Sequence, residues 1–125
     1  MLYTNEHYLR GRLEELREKL LADIKGGISK AVIGSADNAV TDSSFSHMLY
    51  KLKLYQLFDR MMLEILVRLE KHVLTEHQLS ALMAMENPTL VEALVEGGEE
   101  IEKAAFRIPT DKAVWDFLED VAENG

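Results

Sequence analysis

Residues 44–73, SFSHMLYKLKLYQLFDRMMLEILVRLEKHV, decide the fold class. Phe45, Met48, Leu49, Leu52, Leu54, Tyr55, Leu57, Phe58, Met61, Met62, Leu63, Ile65, Leu66, Val67 and Leu69 recur at the steps of three and four that stack side chains along an α-helix. Lys53, Gln56, Arg60, Glu64, Arg68 and Lys71 keep to a narrower polar stripe. A helix this apolar predicts burial on most sides. The stretch therefore reads as the long central apolar helix of an all-α bundle, as a subunit interface, or as both. Ser43 or Ser44 is placed to cap its start, and His72 or Val73 to end it.

Upstream, residues 4–25 form an amphipathic helix, with Leu9, Leu13, Leu16, Leu20 and Ile24 on one face and Glu14, Glu15, Arg17, Glu18 and Lys19 on the other. Gly26 and Gly27 supply a stop, because glycine readily takes the left-handed conformation that ends helices. Residues 26–44 break the helical period. They read as a loop ordered over 28–41 or as a short β-hairpin turning at residues 34–38, and a loop of that length tends to order against a partner.

Downstream the elements shorten. Thr75-x-x-Gln78 is a capping-box pattern opening a helix to about Met85. Asn87 and Pro88 open the next, with proline at the first helical position. Gly97 and Gly98 interrupt or kink it, residues 99–106 resume it, and residues 111–123 make a last helix with Val114, Trp115, Phe117, Leu118 and Val121 on one face. The expectation is a single domain over residues 1–125, an all-α bundle of five or six helices.

Charge is divided unevenly along this chain of 125 residues. Residues 1–74 are close to neutral at +1, whereas residues 75–125 hold 12 acidic side chains against Lys103, Arg107 and Lys112, a net of −9. A field of one sign over the last two fifths of a small protein selects its partners. There is no cysteine, so disulfides, thiolate nucleophiles and thiolate metal sites are excluded, which fits a reducing, cytoplasmic compartment. No stretch reads as a membrane span or a signal peptide.

Three motifs carry chemistry in principle. Residues 74–90, LTEHQLSALMAMENPTL, resemble the first helix and turn of phage-repressor-type helix-turn-helix domains. The segment that would enter the major groove, TLVEALVEGGEE, has no cation and four glutamates, the reverse of what phosphate neutralisation needs. Glu99-x-x-Glu102 and Asp116-x-x-Glu119 resemble the ExxE…ExxD signature of all-α nucleotide pyrophosphatases, which implies Mg²⁺ held by oxygen ligands. Here the second pair has its acids in swapped order, and no cations nearby form a phosphate clamp. His7, His47, His72 and His77 form no i,i+3 or i,i+4 pair, and no GxSxG, GxGxxG or Walker pattern occurs.

The sequence therefore points to a non-catalytic acidic helical module or inhibitor that engages a basic surface on a partner protein, without cofactor, metal, direct nucleic-acid contact or membrane contact. The residues expected to carry that contact are Glu92, Glu96, Glu99, Glu100, Glu102, Trp115, Asp116, Glu119 and Asp120. Small, acidic, cysteine-free helical proteins of this kind include bacteriocin immunity proteins and phage-encoded inhibitors that mask nucleic-acid-binding surfaces, a likeness of class and charge alone. The alternative is an oligomeric assembly component, such as a phage or virion joining protein, whose copies meet through helix 44–73.

Overall fold

The Leu9–Leu13–Leu16 stripe and the apolar side of residues 57–69 bury against each other and seed the core. The computed structural model describes residues 2–36, 42–104 and 110–124, which form α1 (Leu2–Ala36), α2 (Asp42–Glu70), α3 (Glu76–Ala84), α4 (Asn87–Ala104) and α5 (Thr110–Asn124). The architecture is all-α. α1 and α4 are the main neighbours of α2, α5 lies against α3 and α4, and α1 also touches α3. One apolar cluster joins them, including Phe58, Met61, Met62, Ile65 and Leu69 of α2, Leu79 and Leu82 of α3, Leu90, Leu94 and Ile101 of α4, and Val114, Leu118 and Val121 of α5. On α1 the expected stripe is in place: Leu9, Leu13, Leu16 and Ile24 are buried and Leu20 packs beside them.

Two glycine pairs do not do what the sequence suggests. α1 runs through Gly26 and Gly27 to Ala36, so residues 28–36 are helix and not loop or hairpin. The remainder of that expected turn, residues 37–41, lies outside the described residues. A glycine in a helix interior costs up to ~1 kcal/mol relative to alanine, but it keeps both backbone hydrogen-bonding groups, so the growing helix carries across it. A Cβ at Gly26 would meet nothing within 4 Å. Gly26→Ala is accordingly expected to stabilise by ~0.5–1 kcal/mol, seen as a melting point raised by a few degrees. A left-handed stop at this position would instead make alanine destabilising.

α4 likewise continues through Gly97 and Gly98, both buried, with no break. Here the glycines make room. A Cβ on Gly98 would overlap the carbonyl oxygen of Leu57 and fall 2.8 Å from its carbonyl carbon. A Cβ on Gly97 would lie 2.9 Å from Met61 Sδ and 3.1 Å from Phe117 Cε2. The backbones of α4 and α2 meet at this crossing, and the ring of Phe117 on α5 closes over it.

α2 also departs from expectation. It begins at Asp42, ahead of the serines expected to cap it, and ends at Glu70. His72 takes the left-handed conformation (φ 57°), His72 N donates to Leu69 O (3.1 Å) and Val73 N donates to Arg68 O (3.1 Å). This is the Schellman stop that glycine usually makes. His72 Nδ1 lies 2.6 Å from Oε2 of the buried Glu6, tying the stop to the first turns of α1. Nor is the helix enclosed: α1 and α4 flank it, and Leu49, Leu63 and Val67 stay exposed.

Candidate functional site

Glu96 and Glu100 stand one turn apart on α4, and Asp116 and Asp120 one turn apart on α5. The four carboxylates line a single groove of about 280 Å³, with Ala113 and Phe117 completing its wall. Gly97, next to Glu96 on α4, leaves room for the Phe117 ring, whose Cε2 would lie 3.1 Å from a Cβ there. Like charges at i,i+4 on a helix oppose folding by a few tenths of a kcal/mol each, and two such pairs here share one concavity. Local neutralisation is slight. Lys112 Nζ donates to Asp116 Oδ2 (2.9 Å), Asn124 Nδ2 donates to Asp120 Oδ1 (2.7 Å), and Lys103 Nζ is 3.9 Å from Glu100 Oε1.

The other residues singled out from sequence are placed elsewhere. Glu102 turns to α2 and accepts from Lys53 Nζ at 2.9 Å and 3.0 Å. That hydrogen bond, with the charge of Lys53 and of Arg60 adding to it, holds the Glu102 carboxyl below its ordinary value of 4.5. Glu119 accepts from Nε2 of the buried Gln78 (2.8 Å), bridging α5 to α3. Trp115 is half-buried against the core, with the Arg68 guanidinium 5.3 Å from its ring centroid. Glu92 and Glu99 are exposed on α4 and do not line the groove. The two turn-spaced pairs 99/102 and 116/119 thus do not converge, and among the described residues no group of three His, Asp or Glu is arranged to hold a metal ion.

Several cross-helix contacts had no sequence signal. Arg12 reaches from α1 to the end of α3, donating to Met83 O (3.3 Å), to Met85 O and to Asn87 Oδ1 (2.8 Å), and so satisfies carbonyls that a helix end leaves without partners. Arg68, 6% exposed, donates to Glu64 Oε2 and to Asp111 Oδ1, each at 3.1 Å. Arg17 Nε donates to Asp59 Oδ1 (2.6 Å), and that carboxylate raises the Arg17 pKa above its ordinary value. A second concavity, about 230 Å³, brings His7 and His72 together with Glu6, Arg10 and Glu70, although the two histidines are far apart in sequence. Among the described residues no helix is long and apolar enough to cross a membrane. No family model, curated protein or solved structure matches the chain.

Proposed function

We propose that the protein is a non-catalytic binding module, acting in the cytoplasm, whose α4–α5 groove receives a basic segment of a partner protein and masks it. The observation that carries this reading is the groove itself: Glu96, Glu100, Asp116 and Asp120 from two helices line one concavity beside the apolar Ala113 and Phe117. Lysine and arginine side chains suit such a place, because their heads pair with carboxylates while their methylene stems lie on apolar surface. The net charge of −9 over residues 75–125 would speed the encounter and disfavour acidic partners and nucleic acid.

The test compares the wild-type chain with a variant carrying Glu96→Gln, Glu100→Gln, Asp116→Asn and Asp120→Asn, both immobilised in lysate of the source cells at low salt. A basic protein should be retained by the wild type, leave as salt rises, and bind the variant at least about tenfold more weakly. Identical retention by both chains would refute the assignment to this groove. A second reading, an oligomeric assembly component, is favoured by the exposed Leu49, Leu63 and Val67 on α2.

A further inference from the structure

On α2, Arg60, Leu63, Val67 and Glu70 follow the 3–4–3 spacing of a seam between two helices. This stripe belongs to the exposed face of α2, continuous with Leu49, Lys53 and Gln56: Leu63 is 52% and Val67 46% exposed, and Arg60 and Glu70 are exposed beside them. Neither Arg60 nor Glu70 forms an ion pair among the described residues. The order along the stripe is cation, apolar, apolar, anion. Turned end for end, that order complements itself.

We infer that α2 pairs with α2 of a second copy of this chain, antiparallel, about a two-fold axis at the height of Ile65. In that register Leu63 of each copy faces Val67 of the other and Arg60 of each faces Glu70 of the other, since the positions in each pair are equidistant from residue 65. A two-fold contact must be self-complementary in this way. The seam is about 15 Å long at the rise of an α-helix. Beside it, a groove of about 300 Å³ between α1 and α2, lined by Met62, Leu63, Leu66, Glu14, Arg17 and Glu18, offers further apolar surface to an incoming side chain. Charge favours this side for self-association: residues 1–74 carry +1, whereas two copies meeting through residues 75–125 would each bring −9. The contact uses helix faces other than the α4–α5 groove and does not depend on the function proposed for it.

Sedimentation velocity on the full chain, from low micromolar to millimolar concentration, tests the pairing. The wild type should self-associate reversibly to a dimer. Arg60→Glu places two like-charge pairs across the seam and should raise the dissociation constant about tenfold or more. The double reversal Arg60→Glu/Glu70→Arg rebuilds both pairs in the opposite sense and should return it to the wild-type range. Leu63→Asp should abolish the dimer. All these positions are exposed, and circular dichroism of each variant confirms that the helices are retained. A wild type monomeric throughout, a dimer indifferent to these substitutions, or a double reversal that fails to restore association would each overturn the inference.

Discussion

Gly98→Ala is expected to lower the melting temperature by roughly 10 °C or more, a loss of about 3 kcal/mol. Alanine would ordinarily strengthen a helix at an interior position, by up to ~1 kcal/mol over glycine, so the predicted loss runs against local propensity. The new methyl group would overlap the Leu57 carbonyl, which is backbone and cannot turn aside. α4 would have to part from α2, drawing the buried Leu94 and Ile101 out of the core. Gly97→Ala should cost markedly less, because its Cβ meets side chains and not backbone: the flexible thioether of Met61, which repacks, and the edge of the Phe117 ring. Thermal melts of Gly26→Ala, Gly97→Ala and Gly98→Ala thus give one residue change with a graded outcome: a gain, a small loss and a large loss. Equal effects at positions 97 and 98 would show that the backbones do not meet as described.

The second large effect is expected at Gln78, which is 1% exposed. Its Oε1 accepts from Thr75 N (3.0 Å), its backbone N donates to Thr75 Oγ1 (3.0 Å), and its Nε2 donates to Glu119 Oε1 (2.8 Å). One side chain therefore closes the capping box of α3 and ties that helix to α5. Gln78→Leu fits the apolar surroundings but leaves the Thr75 amide and the Glu119 carboxylate without this partner. The Thr75 cap on the backbone amide of residue 78 survives, so the loss is the reciprocal bond to the Thr75 amide, ~1 kcal/mol, and the hydrogen bond to a charged group, ~1.5–3 kcal/mol. A loss of about 2–3 kcal/mol follows, measured as a lower urea midpoint at unchanged slope. Glu119→Gln keeps an acceptor in place and should lose less than half as much. A Gln78→Leu chain as stable as wild type would show that this network contributes nothing.

Much of the helical plan was legible because its signals are local. The α1 stripe needs only the spacing of Leu9, Leu13, Leu16 and Ile24, and the start of α3 only Thr75 and Gln78. The glycine pairs were opaque for the opposite reason. A Gly-Gly step in open solvent at 26–27 and one pressed against another backbone at 97–98 look alike until the neighbouring helix is in place. The end of α2 was legible only to within two residues, because histidine occupies the left-handed position where glycine would have announced it. At the candidate site, the excess of acid was visible in composition, but its partition was not. That Glu96, Glu100, Asp116 and Asp120 share a groove while Glu102 answers Lys53 and Glu119 answers Gln78 depends on the phase and crossing of α4 and α5. Trp115 is among the residues expected to carry the partner contact, whereas the cation that sits over it, Arg68, is 47 positions away in sequence.

The meeting of α4 and α2 at Gly98 bears on the proposed recognition as well as on stability. A groove whose acidic wall is carried by a helix resting directly on another backbone has little freedom to breathe, and its backbone is set before any ligand arrives. Such a surface loses little backbone entropy on binding, so most of the backbone ordering would fall on the incoming chain. A flexible basic tail and a rigid basic helix would then differ chiefly in what they themselves give up, and the helix whose cations already match the two acidic rows would be held the longer.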